Sequence, residues 1–336
     1  MKIKNKLFRR GIPCCLVLAL MAMSVITSNT VNAKSLKNAD KISYVEKNST
    51  DANFISKDLI TDEENYYDLY NNGVEVNVLG NEKTTNSNVE KKESSAYFPN
   101  NKISASRIDF SSSKNNFIEP KNIIGSDNRK LVNSSSYPFS AVCSMIITWP
   151  DGARSSGTAW LYGKNTAITA GHCIYSADNG GWATSIEISP GANQYSKPFG
   201  SVYATNLYTS TEWIESSDWE HDYGVLKLSS NIGTSTGWFG LSTGDTDIIG
   251  TDVTITGYPG EYYRQMWTMT GEVVYATDRK VYYNIDTTGG QSGSPIYDSN
   301  YKAVGIHAYG GAGIGENSGT RINSGLFDFF NSIKEQ

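Results

Sequence analysis

The alternation of apolar runs and turn residues divides this chain near residue 122. From residue 123 to residue 336, short apolar runs are separated by clusters of Gly, Asn, Asp and Ser. Many short strands spaced by turn signals are typical of an all-β sandwich or barrel. The runs are Ser140–Thr148, Gly157–Tyr162, Thr166–Ala170, Val202–Leu207, Gly224–Leu228, Val253–Thr256, Met266–Tyr275, Val281–Ile285 and Ala303–Ala308. We therefore predict an all-β fold for this region.

The pattern changes at the C-terminal end of the chain. Leu326, Phe329, Phe330 and Ile333 recur at helical spacing after Ser324. This spacing places the four side chains on one face, so it predicts one C-terminal helix. Residues 123–336, about 214 in number, are enough to build two small barrels with shared packing.

The first 33 residues have the pattern of an export signal. The apolar run Ile12–Ile26 is followed by the small-residue motif Val31-Asn32-Ala33. A run of this length is short for a membrane span and typical of a secretory signal, although a membrane anchor is the alternative. The basic residues before it are Lys2, Lys4, Lys6, Arg9 and Arg10. We expect residues 1–33 to be a signal peptide and the protein to be secreted and extracellular, with no membrane attachment after signal removal.

Residues 34–122 are polar and contain no Trp, Cys or His. The stretch Asn81–Ser95 is typical of solvated, weakly structured chain. Because the segment lies between a signal and a compact region, we interpret residues 34–122 as a removable pro-segment. A flexible linker or wall-spacing stalk is the alternative. The working domain would then be residues 123–336.

The composition limits the chemistry that the chain can perform. A net charge of -5 argues against a nucleic-acid binder that works by neutralising phosphates. There are only three histidines: His172, His221 and His307. No histidine or cysteine motif with metal-ligand spacing occurs after the signal, so no metal and no cofactor are expected, although a surface Ca²⁺ held by loop carboxylates stays open.

Two of the three segments with candidate chemistry supply a His and an Asp. His172, in Thr169–Cys173, follows an apolar run, where a rigid imidazole facing a cleft can act as a general base. Asp222 stands before the run Gly224–Leu228, where a partly buried carboxylate can fix the tautomer of an imidazole. Asp218 is a competitor for that role.

The third segment, Asp286–Pro295, places Ser292 between glycines. Glycine permits a tight backbone that exposes the hydroxyl and lets consecutive N–H groups converge on one oxygen. The order His, Asp, Ser along the chain is that of the chymotrypsin-type triad, whereas subtilisins and α/β-hydrolases have other orders. An all-β fold agrees with the first of these three.

The two boxes Thr169–Cys173 and Gly290–Pro295 resemble those of the chymotrypsin-like serine proteases. Within that group the chain is most similar to the bacterial glutamyl endopeptidases of the staphylococcal V8 type and of Bacillus. The further matching segments are Ile123–Asp127, Tyr137-Pro138, Asp286–Pro295 and Gly305–His307. The resemblance covers about residues 123–336.

The resemblance implies two six-stranded antiparallel β-barrels and a monomeric serine endopeptidase that acts on proteins or peptides. Ser292 would be the nucleophile, His172 the base and Asp222 the residue that orients it. The backbone N–H groups of Gly290 and Ser292 would form the oxyanion hole. A separate protease would activate the precursor. A protease-like fold that serves only as a secreted binding module is the alternative function.

Two positions compete to set the specificity. Asp286 has the spacing at which trypsin-like enzymes bind Lys or Arg, so cleavage after Lys or Arg is an alternative. His307 and Thr287 match the positions that bind the acidic side chain in the glutamyl branch, which favours cleavage after Glu and less often Asp. A core role for the His307 imidazole is also open.

Two departures from the chymotrypsin pattern affect the expectations. Gln291 replaces the Asp that pairs with the new amino terminus, so activation through that ion pair is not expected; a terminus near Asn122–Ile123 would instead help to bind the acidic side chain, with Lys121 as another cleavage residue. The family commonly bridges the Cys after the catalytic His to the position of Gly157. We expect a Cys143–Cys173 disulfide, on the assumption that residue 143 lies near residue 157 across a hairpin, with two free thiols as the alternative.

Overall fold

The computed structural model describes residues 43–45, 53–68, 91–99, 121–132, 136–244, 248–311 and 316–336. All of them fall within one compact unit, residues 37–336. The proposed signal, residues 1–33, lies outside the described residues. Among the helices that are described, none has the length and apolarity needed to cross a membrane.

In the part of the chain that the structure describes, five strands precede the barrels. They are β1 (Ser43–Val45), β2 (Phe54–Asp58), β3 (Glu64–Asp68), β4 (Lys121–Asn122) and β5 (Lys130–Leu131).

The first barrel is built from residues 142–228. Its region contains β6 (Val142–Thr148), β7 (Arg154–Leu161), β8 (Thr166–Thr169), β9 (Tyr175–Ser176), β10 (Gly181–Trp182), β11 (Ser185–Pro190), β12 (Val202–Ser210) and β13 (Gly224–Leu228). Six of these strands pair antiparallel in the order β12-β11-β6-β7-β8-β13, and pairing of β12 with β13 closes the barrel. Strands β9 and β10, which lie between β8 and β11 along the chain, form a separate two-stranded ribbon.

The second barrel follows the same plan. Its region contains β14 (Gly240–Leu241), β15 (Asp252–Gly257), β16 (Trp267–Ala276), β17 (Lys280–Tyr283), β18 (Thr287–Thr288), β19 (Pro295–Tyr297), β20 (Lys302–Tyr309) and β21 (Asn317–Arg321). The order β20-β19-β15-β16-β17-β21 is closed by pairing of β20 with β21. The prediction of two six-stranded antiparallel barrels is confirmed.

The described helices are short except for the last. They are α1 (Thr211–Ser216), α2 (Gly233–Thr236) and α3 (Ser324–Lys334). The Asn323 side chain caps α3 by accepting the Leu326 N–H at 2.9 Å. Leu326, Phe329, Phe330 and Ile333 are all buried on one face, as their spacing predicts.

The hairpin of β2 and β3, which belongs to the proposed pro-segment, extends the sheet of the first barrel. Strand β2 pairs antiparallel with β12, Phe54 opposite Ser210 and Asp58 opposite Asn206. The Phe54 ring is 7 % exposed and stacks on Phe329 of α3, with 3.8 Å between ring centroids. Burial of a Phe side chain contributes about 1.5–3 kcal/mol.

A second part of the proposed pro-segment, residues 91–99, also lies on the barrels. Glu93 bridges to Ser242 and Tyr97 to Trp238, and the Tyr97 and Trp238 rings stack at 4.2 Å. The weakly structured chain expected over Asn81–Ser95 is therefore paired to the barrels at Glu93; residues 81–90 lie outside the described residues.

The disulfide expected between Cys143 and Cys173 is not formed; both are free, buried thiols. The reason is the register of the hairpin of β6 and β7. Cys143 lies opposite Ala159, and Gly157 lies opposite Met145, two residues away from the expected pairing. The Cys173 Sγ atom instead faces Gly157, where an added Cβ would lie 3.2 Å from it.

Candidate active site

His172 lies in the turn that follows the end of β8. It is the middle residue of a single 3₁₀ turn, Gly171–Cys173, and its side chain is 30 % exposed. The preceding residue is closely packed, because a Cβ at Gly171 would lie 3.0 Å from Asp222 Oδ1 and 3.1 Å from the Trp213 ring. This close packing holds the imidazole in place while one edge stays open to solvent.

Asp222 is the partner of His172, and Asp218 is not. The Asp222 carboxylate is fully buried; Oδ2 lies 2.7 Å from His172 Nδ1 and Oδ1 accepts the His172 backbone N–H at 2.8 Å. Asp218 instead lies 2.8 Å from His221 Nδ1, in the next turn of chain. The two interactions on Asp222 fix the ring orientation of His172 and direct Nε2 away from the carboxylate.

His172 and Asp222 each shift the pKa of the other toward its charged form. Burial disfavours the charge on Asp222, but the His172 imidazole and the hydrogen bonds that Asp222 accepts outweigh it and lower the pKa of Asp222. Burial also disfavours a charged His172, yet the Asp222 carboxylate holds the pKa of His172 well above its ordinary value. The pair is therefore arranged to stabilise an imidazolium.

Ser292 is partly exposed on a tight loop whose glycines cannot be replaced without a clash. Gly290 and Gly293 both have φ of 88°. A Cβ at Gly293 would lie 2.1 Å from Thr158 O, and one at Gly290 would lie 2.6 Å from Gly260 N. The loop touches the His172 segment, because Cys173 Sγ lies 3.8 Å from the Ser292 carbonyl oxygen.

Two peptide groups of the loop have their carbonyls engaged on the protein side. Gly289 O accepts the Gly260 N–H at 2.7 Å, and Gln291 O accepts the Ser294 N–H at 3.0 Å and the Ser294 hydroxyl at 2.6 Å. In a trans peptide the N–H points opposite to the C=O. The N–H groups of Gly290 and Ser292 are therefore directed away from those partners.

Asp286 is occupied by the chain segment that follows the proposed cleavage site. Its carboxylate accepts the Ile124 N–H at 2.7 Å and the Asn128 N–H at 2.9 Å, and the residue is 1 % exposed. A carboxylate that binds a substrate Lys or Arg must be free to face the substrate. This contact set favours a structural role for Asp286 over the trypsin-like alternative.

Replacement of Asp286 by Asn separates these two roles. We expect Asp286→Asn to lower the free energy of unfolding by about 1–3 kcal/mol, because two backbone N–H groups lose a charged acceptor. Urea unfolding measures the loss, and rates on Glu and Lys peptides measure selectivity. A large change of selectivity with unchanged stability would restore the trypsin-like reading.

His307 lies on β20 beside the Ser292 loop, to which it is bonded through its backbone. Gly293 N–H donates to His307 O at 2.7 Å, and His307 N–H donates to Ser294 O at 2.9 Å. The imidazole is 3 % exposed, and Nδ1 lies 2.6 Å from the Tyr283 hydroxyl. Burial, together with the nearby positive charges of His172 and Lys280, lowers the pKa of His307 to about 3, so the ring is neutral.

Thr287, the other predicted specificity residue, is 1 % exposed on β18. Strand β18 pairs with β4, Thr287 opposite Asn122 and Thr288 opposite Lys121. The structure therefore brings Thr287 next to the residues where the sequence places activation.

Two buried cations near the site, Lys280 and Arg129, could not be predicted from the sequence. Lys280 lies 4.8 Å from the Trp219 ring centroid and 4.7 Å from that of Tyr309, and burial lowers its pKa to about 8. Arg129 contacts Gln291, the residue before Ser292. Both depend on contacts between segments far apart in sequence, which no local pattern encodes.

Comparison with known proteins agrees with this geometry. A model of the trypsin-like peptidase domain matches residues 157–306. A glutamyl endopeptidase of Bacillus licheniformis is 36% identical over 221 residues, which are 62% of this chain and 67% of that protein. A Bacillus subtilis protein named extracellular metalloprotease is 37% identical over 225 residues, 65% of this chain and 70% of that protein.

The name of the Bacillus subtilis relative raises the question of a metal. Within the described ranges, no three His, Cys, Asp or Glu side chains are grouped as ligands for a metal ion. The residues in these ranges therefore do not fit a metal centre.

Solved structures show the same fold. A Glu endopeptidase in complex with MPD superposes with a TM-score of 0.58 at 30% identity, over 64% of this chain and 100% of that one. The protease Anisep from Arthrobacter nicotinovorans superposes with a TM-score of 0.52 at 18% identity, over 62% of this chain and 100% of that one. The chain is a serine endopeptidase and belongs to the V8-type branch of the chymotrypsin-like serine proteases, which contains the glutamyl endopeptidases.

Proposed function

We propose that this chain is the precursor of a secreted serine endopeptidase that cleaves after Glu, and less often Asp, through a triad of His172, Asp222 and Ser292. The observation that carries the proposal is the 2.7 Å contact between His172 Nδ1 and the fully buried Asp222 carboxylate, next to the glycine-flanked Ser292. Secretion is supported by the signal pattern of residues 1–33.

The chemistry proceeds in two halves. Ser292 Oγ forms a bond to the scissile carbonyl carbon and passes its proton to His172 Nε2, which Asp222 stabilises as imidazolium. The tetrahedral intermediate collapses with cleavage of the C–N bond, and His172 returns the proton to the leaving amine. Water then attacks the acyl-enzyme by the same route and frees Ser292.

The oxyanion of each tetrahedral intermediate would bind the N–H groups of Gly290 and Ser292. This role is supported by the hydrogen bonds of the Gly289 and Gln291 carbonyls, which direct both N–H groups away from Gly260 and Ser294. Donors fixed in this way before reaction need no reorganisation when negative charge develops, which is the source of their effect on rate.

The preference for Glu is supported by two groups beside the Ser292 loop, both buried in the intact chain: His307 is 3 % exposed and Thr287 is 1 % exposed. The Asp286 carboxylate, which would repel an acidic substrate, is instead bound by the Ile124 and Asn128 backbone N–H groups. The His307 imidazole and the Thr287 hydroxyl lie on strands that border the Ser292 loop. A neutral imidazole can donate one N–H to a substrate carboxylate, and a hydroxyl can donate another.

His307→Ala tests the specificity. We expect a fall of about 10–100-fold in kcat/KM for a Glu peptide, which is the loss of one hydrogen bond to a charged group. The same variant should change kcat/KM for a matched Leu peptide much less. Tyr283→Phe is the control for mere packing, because it removes the contact to Nδ1 and keeps the ring. Unchanged Glu selectivity in His307→Ala would contradict the assignment.

Activation is the last part of the proposal. In the intact chain, Asn122 lies opposite Thr287, and Ile124 N–H is bound by Asp286. Cleavage near Asn122–Ile123 would therefore leave a new amino terminus close to Thr287. An ammonium there would attract an acidic substrate side chain, in keeping with the proposed preference.

A further inference from the structure

Arg129 is a buried cation whose donors are all used within the protein. Its side chain is 1 % exposed. Nε and Nη2 form a fork on Asp127, with Nε 3.0 Å from Oδ1 and Nη2 2.9 Å from Oδ2. Nη2 also donates to Glu261 Oε1 at 2.9 Å. Charged, hydrogen-bonded contacts of this kind fix a guanidinium in one orientation.

The remaining nitrogen of Arg129 reaches the Ser292 loop. Nη1 donates to Gln291 Oε1 at 2.8 Å and to Thr288 Oγ1 at 2.8 Å. Gln291 Oε1 also accepts the Thr288 N–H at 3.0 Å, and the Thr288 hydroxyl donates to Glu261 Oε2 at 2.6 Å. Thr288 and Gln291 stand on either side of Gly289 and Gly290. The guanidinium therefore holds both ends of the turn that carries the proposed oxyanion N–H group of Gly290.

The clamp exists while the chain is uncleaved. Strand β4 runs through Asn122 into the segment that carries Arg129, and the Ile124 and Asn128 N–H groups are tied to Asp286. The positive charge beside Gln291 therefore comes from a side chain, not from an amino terminus created by proteolysis. The side chain of Gln291 is a neutral amide, and its oxygen can accept hydrogen bonds from a guanidinium.

We propose that Arg129 is a positioning residue that holds the loop around Ser292 in its reactive conformation, and that it does so before the pro-segment is removed. The inference rests on the proposed function of Ser292. It predicts a precursor whose nucleophile loop is already assembled before the pro-segment is removed.

A small phosphorofluoridate that reacts with an activated serine tests both the positioning role and its timing. Diisopropyl fluorophosphate forms a bond from Ser292 Oγ to phosphorus, fluoride leaves with cleavage of the P–F bond, and the hydroxyl proton passes to His172. The full chain, verified by intact mass, should be labelled at a rate within about threefold of the processed chain, since the donors are fixed in both. Arg129→Lys should slow labelling of both forms by about 10–100-fold, because ammonium keeps the charge and loses the fork.

Two further variants separate positioning from folding. Gln291→Met removes the acceptor on the loop and keeps the contacts of Arg129 with its carboxylates; it should slow labelling to a similar extent and lower kcat more than it raises KM. Arg154→Lys makes the same change at an exposed position of β7 and should label as the wild type does. Labelling is scored per folded molecule, so a purely structural role would lower the thermal midpoint without changing the rate.

The outcomes are distinct. Folded Arg129→Lys and Gln291→Met that label at the wild-type rate would overturn the positioning role. A processed chain that labels and a full chain that does not would overturn assembly before cleavage. If neither form is labelled at Ser292, the proposed function itself fails.

Discussion

Ser292→Ala will lower kcat by about 10⁶-fold, because the variant has no oxygen with which to form the acyl-enzyme. The hydroxyl takes no part in the backbone contacts of the loop, so the fold should be retained. The measurement is hydrolysis of a Glu peptide by the variant after its pro-segment has been removed by an added protease. Residual activity would reflect binding and the oxyanion N–H groups alone.

The matched control is Ser230→Ala, an exposed serine after β13. It should retain wild-type kcat. A Ser292→Ala variant with the correct thermal midpoint and more than a few per cent of wild-type activity would remove Ser292 from the mechanism and favour the non-catalytic binding module or another nucleophile.

Asp222→Asn will lower kcat by about 10⁴-fold with the geometry nearly intact. The Asn oxygen can still accept the His172 backbone N–H, but the amide cannot stabilise an imidazolium and can hold the ring in the wrong tautomer. Steady-state rates on a Glu peptide measure the loss. Asp218→Asn is the same chemical change at the competing carboxylate, which contacts His221, and it should leave kcat unchanged.

The pH profile gives a second measurement of the same pair. His172 must be neutral to accept a proton, and the Asp222 carboxylate raises its pKa above the ordinary value of 6.5. Activity of the wild type should therefore fall as pH decreases through a pKa above 6.5. In Asp222→Asn the acidic limb of kcat/KM should move to lower pH, because the imidazolium has lost its counter-charge. An acidic limb that stays in place would show that Asp222 does not act on His172.

The strand pattern could be predicted from the sequence wherever inward-facing residues are strongly apolar. Each of the nine predicted runs overlaps a barrel strand. The three strands that were missed have different sequences: β11 alternates Ile with polar residues, β19 has three residues, and β21, Asn-Ser-Gly-Thr-Arg, is polar. Strand β21 is held by two neighbours in the sheet and is buried despite its polarity, which only tertiary packing reveals.

Only part of the candidate site could be predicted from the sequence. His172, Asp222 and Ser292 each lie at a strand end or turn with a recognisable local sequence. Arg129 has no such signal, because apart from Asp127 the residues it contacts are 132, 159 and 162 positions away. The disulfide was wrong because the register of a hairpin depends on its turn: the chain reverses over Trp149–Ala153, and this aligns Cys143 with Ala159.

Under the proposed processing, the hairpin of β2 and β3 would change from a tethered part of the chain to a separate molecule. In the precursor it is tethered to the edge of β12, and its local concentration there is set by the connecting chain. Cleavage between the hairpin and residue 123 turns the same strand pair into a complex of two molecules, whose occupancy falls on dilution. Release would then uncover the backbone of β12 and the Phe329 ring, so the processed enzyme would carry an exposed strand edge that β2 covers in the full chain.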